Sequence, residues 1–274
     1  MSKRKYSFFL LIIAVFTVQV WSTSSAQIFK AVEECDIEKV RNLLASGTDV
    51  NARNEDGMTP LMIASRWKWG CSLDMVKLLV ENGADVNAKT PEFGTSALML
   101  AVGDFAKVKY LVSKGADINA MENATEVSGL NAIIRAAIYA SVSNDLRTLV
   151  FLLDNGGDVN ATLENGQSVF MVVVESVAAE KNKKKGGLNV VKLLLNKGAD
   201  VNHKANNGET SLLIAVDYEN FSLAKLLLKH GADPNCRMDA SLRTPLSIAT
   251  VKKNKRLIKL LLKYGAKNGA VPVL

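Results

Sequence analysis

Apolar residues return along the chain at helical intervals, in short runs that each stop near a glycine. Val191-Lys192-Leu193-Leu194-Leu195 leads to Gly198, and Leu78-Leu79-Val80 leads to Gly83. Spacings of three and four predict helices with one buried stripe. A glycine just past such a run takes the left-handed conformation that satisfies the last helical carbonyls. Asp and then Asn follow each glycine: Gly47-Asp49-Asn51, Gly83-Asp85-Asn87, Gly115-Asp117-Asn119, Gly156-Asp158-Asn160, Gly198-Asp200-Asn202 and Gly231-Asp233-Asn235. A decayed seventh copy is Gly265-Ala266-Lys267. Short Asp and Asn side chains bond nearby backbone, which suits a tight turn.

A second pattern stands ahead of each of these. It reads Asp56-Gly57-Met58-Thr59-Pro60-Leu61-Met62-Ile63-Ala64 in its fullest form. Thr59 is placed to cap a helix, and Pro60 sits in the first turn, where its missing N–H costs little. The pattern recurs at Thr95-Ser96-Ala97, Leu130-Asn131-Ala132, Gln167-Ser168-Val169, Glu209-Thr210-Ser211 and Arg243-Thr244-Pro245. Each unit is therefore turn, helix, connection, helix and glycine stop. Such a unit buries its apolar face only against its neighbours, so the chain is expected to be a repeat array.

Thr-Pro-Leu at Thr59-Pro60-Leu61, and Val76-x-x-Leu79-Val80-x-x-Gly83-Ala84-Asp85-x-Asn87 after it, resemble the ankyrin-repeat family, whose unit is about 33 residues. The likeness covers roughly Gln27 to Ala266. It implies an all-α ankyrin-repeat solenoid of stacked helix-turn-helix units with β-hairpin-like turns. About seven repeats are expected, the first and last acting as caps. Successive turn glycines lie 36, 32, 41, 42, 33 and 34 residues apart. Against the family period, repeats two, four and five gain about 3, 4 and 9 residues between their helices, and the turn before repeat four gains about 4. The family's histidine after Thr-Pro-Leu is replaced by Met62, Met99, Ile134, Met171, Leu213 and Ser247. Apolar packing is expected to take over its role.

Residues 1–26 change the picture of where the array resides. Lys3, Arg4 and Lys5 precede an apolar stretch from Phe8 to about Trp21, then small polar residues to Ala26. This is the order of a secretory signal, with cleavage expected near Ala26 and an ankyrin domain over 27–274. An uncleaved anchor is the alternative, and either places the array across a membrane. The expectation is a bacterial-type exported protein, periplasmic or secreted and monomeric, meeting a membrane only transiently or through that segment. Without the first three cations the formal charge of +7 falls to +4, too mild to imply nucleic acid. Of three cysteines, Cys35 and Cys71 each stand twelve residues before a turn glycine. Helices ~8–10 Å apart would hold them beyond disulfide reach, so two separate thiols are expected, with a bridge through local distortion at the insertion beside Cys71 as the alternative. Cys236 stands alone.

In the ankyrin family the turn tips and first helices face partners, so the candidate contacts are sought there. Eight residues beyond the capping positions stand Trp67, Tyr139 and Tyr218. Aromatics supply contact area at low entropic cost. Trp69 and Arg66 would enlarge the Trp67 patch. Their alternative role is to cover inserted connections. At the tips, Glu55, Asp56, Met58, Glu92, Phe93, Glu164, Gln167, Asn206 and Glu209 are candidate contacts, each alternatively a solvated turn residue. Arg135 replaces Ile63, Leu100, Val172, Ile214 and Ile248, and is expected to snorkel to water. Lys181–Lys185 and the final basic helix (Lys252, Lys253, Lys255, Arg256, Lys259, Lys263) read as solvated surface, or as a dock for anionic surfaces.

Catalysis finds no footing. His230 immediately precedes Gly231, where a donor suits exposed helical carbonyls, and His203 lies at a turn without partners at metal-ligand spacing. No catalytic residue, cofactor or metal is expected. The function read from sequence is a noncatalytic scaffold for a protein partner. An envelope protein docked through basic segments and an unrecognised enzyme are the alternatives.

Overall fold

The computed structural model describes residues 25–68, 70–122, 130–179, 185–238 and 243–267. The chain divides into two compact units, 1–123 and 124–274. The described part of the first holds α1 (25–33) and α2 (Ile37–Ala45), α3 (Pro60–Ser65) and α4 (Leu73–Glu81), and α5 (Ala97–Ala101) and α6 (Phe105–Ser113). The second holds α7 (Ala132–Ser143) and α8 (Arg147–Asp154), α9 (Val169–Ala179) and α10 (Lys185–Asn196), α11 (Ser211–Asp217) and α12 (Phe221–Lys229), and α13 (Pro245–Val251) and α14 (Lys255–Lys263). Within each unit, like helices of successive pairs pack on one another: α3 on α5, α4 on α6, α11 on α9 and α13, and α12 on α14.

Each of these pairs starts and stops where local chemistry requires. Thr59, Ser96, Asn131, Ser168, Thr210 and Thr244 accept the backbone N–H three residues on, at 2.8–3.4 Å. That satisfies one orphan donor at each first-helix start. Four of the second helices, α2, α6, α12 and α14, are capped as well, by Asp36, Asp104, Asn220 and Asn254. At the other end Gly83 has φ +90°, and the Ala84 N–H reaches back to Leu79 O at 3.0 Å, closing the helix. The turns between pairs are hairpin-like: single antiparallel bridges join Lys89 to Ser96, Thr162 to Ser168 and Lys204 to Thr210. Among the described residues there is no longer strand.

The core confirms apolar substitution at the family's histidine position. Met62, Met99, Ile134, Met171 and Leu213 are buried. Two of the six also rebuild the polar link. Met62 Sδ accepts the Thr59 N–H at 3.4 Å, and Ser247 Oγ accepts the Thr244 N–H at 2.9 Å. The helices α7 and α9 run to 12 and 11 residues, so the surplus in those two pairs is spent partly on longer first helices.

Candidate interaction surface

The recurrent Asp and Asn divide their labour, which sequence reasoning did not foresee. All six Asp residues act locally: Asp49, Asp85, Asp117, Asp158, Asp200 and Asp233 each accept the N–H of the Asn two residues on, at 2.8–2.9 Å. The Asn side chains instead cross to the next hairpin. Asn87 Nδ2 donates to Gly115 O at 3.0 Å, and its Oδ1 accepts the Asp117 N–H at 2.8 Å. Asn51, Asn160, Asn202 and Asn235 make the same two-bond clasp to Gly83 and Asp85, Gly198 and Asp200, Gly231 and Asp233, and Gly265 and Lys267. The clasp fixes the pitch at which successive tips present themselves.

Several tip residues are likewise engaged between tips. Arg53 Nη1 donates to Gly57 O at 2.7 Å and Lys89 O at 2.8 Å. Asn206 donates from Nδ2 to Glu164 O at 3.0 Å and from its backbone to Asn165 O at 3.1 Å. Gln167 Oε1 accepts from Asn165 Nδ2 at 3.1 Å, and His203 Nε2 lies 2.8 Å from Gly166 O. Glu55, Asp56, Glu92, Phe93, Glu164 and Asn206 are exposed, whereas Gln167 and Glu209 are half-buried. Glu55 and Asp56 line a groove of about 770 Å³ with Phe29, Lys30 and Glu33 of α1. Met58 is a correction to the candidate set: it is 8% exposed, turned inward with its sulfur 3.0 Å from Arg66 Nη2. Methionine at that point packs against the start of α3 because its thioether has no polar group to keep in water.

The most distinctive geometry lies between α3 and α4. Helix α3 ends at Ser65 after six residues, and Arg66 (ψ 127°) turns the chain outward. The described residues between 66 and 72 are held at three points. Lys107 of α6, only 2% exposed, donates from Nζ to Ala64 O at 3.0 Å and Arg66 O at 3.4 Å, carbonyls at the end of the short helix. The Asp104 carboxylate lies 3.7 Å away. Burial pulls the Lys107 ammonium below its ordinary pKa, and Asp104 opposes this. The Trp67 N–H donates to Leu100 O at 3.2 Å. At the far end Cys71 forms a disulfide with Cys35, the Cα atoms 5.3 Å apart. The expectation of two separate thiols is thus overturned. Helix-axis spacing does not govern the pair, because Cys35 (φ 56°) lies in the turn after α1 and Cys71 lies in the insertion before α4.

Held in this way, Trp67 is 45% exposed, with one side of its indole on the Gly103 backbone and Lys68 Nζ 5.1 Å from the ring centroid. Arg66 is half-buried beneath it, and Trp69 lies outside the described residues. Tyr218, at the same offset from its cap, is 48% exposed just past the end of α11. Tyr139 is half-buried, because α7 continues four residues beyond it and keeps it within the helix body. Beside Tyr218, Asp217 takes Arg243 at 3.3 Å and Lys252 at 3.4 Å. Glu209 nearby is held above its ordinary pKa by burial first, then by Glu175 and Asp217, with Arg243 opposing.

The remaining polar residues fill structural roles. His230 Nδ1 lies 2.9 Å from Leu226 O at the end of α12, as its place before Gly231 implies. Cys236 is buried 3.2 Å from Thr210 Oγ1, and burial pushes its thiol pKa up. Arg135 is half-buried, with its Nε shielded from water. Lys181–Lys184 lie outside the described residues. Lys107 is the residue that sequence reasoning missed. Counted eight back from the helix-ending glycines it aligns with half-buried Lys39 of the first pair and with Met75, Thr148, Val190, Leu223 and Leu257, all buried, so the misfit within the array was present in the sequence.

Pairs of capped helices joined by clasped hairpins define a class, and the comparisons agree. The ankyrin-repeat family model matches three times, over residues 28–122, 133–238 and 176–271. The chain belongs to the ankyrin-repeat family, whose members are general protein–protein interaction modules. Among solved structures it is similar to the ankyrin repeat domain of Bcl-3, described as a unique member of the IkappaB protein family. That likeness has a TM-score of 0.67 at 24% identity, covers 86% of this chain and 97% of the other, and speaks to the fold alone. No curated protein matches the chain.

Proposed function

We propose that this chain is a noncatalytic scaffold of about seven ankyrin repeats that binds a protein partner through its hairpin tips and first-helix ends. One observation carries the reading: Trp67 and Tyr218 occupy one offset in their helix pairs and stand nearly half exposed, although the helices before them are buried. Large aromatics held on rigid elements are favoured anchors, because little side-chain freedom is lost when they are covered. Phe93, 47% exposed at a tip, joins Trp67 in the first unit. The polar tips Glu55, Asp56, Glu92 and Glu164 set register around such anchors. The reading includes a monomeric array, exported by a bacterial-type signal to the periplasm or beyond. Its supports are the basic, apolar and small-residue order of residues 1–26 and a disulfide, a bond that persists in oxidising compartments. Capture of partners from the cell envelope by the tagged protein, compared with Trp67→Ala, tests it. Recovery of the same partner in equal amount by both dismisses Trp67 as an anchor.

A second reading rests on α14. Lys255, Arg256, Lys259 and Lys263 are all exposed there, beside Leu262 at 49%, and Lys253 is exposed in the turn before it. Docking on an anionic envelope surface would then be salt-sensitive and lost on charge reversal of Lys255 and Lys259. Association that survives both 0.5 M salt (about a 4 Å screening length) and charge reversal removes it.

A further inference from the structure

The insertion that carries Trp67 makes a turn at residues 67–68, and it is fixed at both ends by groups from other helix pairs. At one end the Lys107 ammonium of α6 gathers Ala64 O and Arg66 O. At the other the Cys35–Cys71 bond ties it to the turn after α1. Between them the backbone of Trp67 bonds Leu100 O of α5. A buried lysine is costly where five of the six equivalent positions carry Met75, Thr148, Val190, Leu223 and Leu257, the sixth being the half-buried Lys39 of the first pair. Stability of the core does not account for it, since methionine or leucine fills that place elsewhere in the chain. What lysine adds is a donor that reaches the Ala64 and Arg66 carbonyls where α3 stops early. The disulfide adds a covalent limit on how far residue 71 strays. Both act on the same insertion.

We propose that Lys107 and the Cys35–Cys71 disulfide are positioning groups for a partner-binding insertion: together they hold residues 66–68 and 70–72 in the one conformation that presents Trp67, so that binding through Trp67 depends on the disulfide. The inference rests on the reading of Trp67 as an anchor. An ordered aromatic binds more tightly because its ordering cost is already met in the free protein. Reduction releases that order. A dithiol delivers two electrons and two protons to the sulfur–sulfur bond, leaves two cysteine thiols and is itself oxidised to a disulfide. The thiols keep their places in the turn and the insertion, but nothing covalent then limits the segment, and only the Lys107 bonds and the Trp67–Leu100 bond named above still hold it.

The test uses the full chain, with Lys107→Met and Cys35→Ser/Cys71→Ser variants and the parent before and after dithiothreitol. Amide hydrogen exchange is followed by mass spectrometry in the peptide spanning residues 64–72 and, as a control, in α11 and α12. The expected result is exchange about tenfold faster in residues 66–72 of both variants and of the reduced parent, the scale of losing one or two fixing interactions. Exchange in α11 and α12 stays at the parent rate, a pattern that general loss of stability would not give. Partner capture then falls in parallel. Unchanged exchange in residues 66–72 in either variant overturns the proposal. Faster exchange with undiminished capture also overturns it, provided that Trp67→Ala lowers capture. If Trp67→Ala leaves capture unchanged, the anchor reading itself fails and this inference falls with it, whatever the exchange rates show.

Discussion

Replacing Asn87 with alanine removes one clasp and nothing else. Asn87 is exposed, so no cavity opens, and its own N–H keeps its bond to Asp85. Two bonds disappear, to Gly115 O at 3.0 Å and from the Asp117 N–H at 2.8 Å. Each contributes about 0.5–1.5 kcal/mol net, and the freed groups are exposed enough for water to replace part of that. The expected loss is therefore about 1–2 kcal/mol. It falls on the junction between two hairpins rather than within either helix pair, so in an array coupled only through neighbours both flanking pairs should lose protection. Urea unfolding gives the total, and hydrogen exchange in α4 and α6 gives its distribution. Asn42→Ala, an exposed asparagine on α2 without a clasp, is the control and should cost nothing. A change below about 0.3 kcal/mol for Asn87→Ala, or a loss confined to α4, would refute the reasoning.

Three further outcomes are expected. Leu194→Ala, in the fully buried face of α10, should cost about 2–5 kcal/mol in urea unfolding, and an unchanged midpoint would remove α10 from the core. Lys107 is held below the pKa it has in the unfolded chain, so the folded state releases its proton first and the protein should gain stability as pH rises from that lowered value towards the free-lysine value. Lys107→Met should abolish this alkaline gain, and matching pH profiles for parent and variant would refute it. Gly103→Ala places a Cβ 2.5 Å from the Trp67 indole, so in a chain with Trp21→Phe and Trp69→Phe the Trp67 emission should shift to the red; emission at the parent wavelength would show that the ring does not rest there.

Much of this architecture was legible in the chain because it depends on local chemistry. Caps such as Thr59 and Thr210, the Gly83 stop and the Asp85 turn each act within a few residues of themselves, and periodicity exposes them. The clasp was hidden behind the same letters: Asn87 and Asp85 look alike as turn formers, yet only one of them reaches across 28 residues. Cys35 and Cys71 were misjudged because helix spacing was applied to two residues that lie outside helices. Lys107 escaped notice because a lysine in an amphipathic helix normally faces water, and only its alignment with Met75 and Leu223 marks it as displaced. The candidate surface was legible as positions and not as availability. Trp67 and Tyr218 emerge exposed, Tyr139 is drawn in by a longer helix, Met58 turns inward, and Asn206 is committed to its neighbour.

Because every clasp has the same two bonds, a unit and its successor meet through a standard joint. Excising residues 203–235 would bring Asn202 to face Gly265 and Lys267, the groups that Asn235 now holds. The chain is thus built so that copies can be lost or gained by recombination without new joints having to evolve. Specialised features such as the disulfide-tied insertion, which belongs to one pair alone, would be the part that such shuffling cannot regenerate.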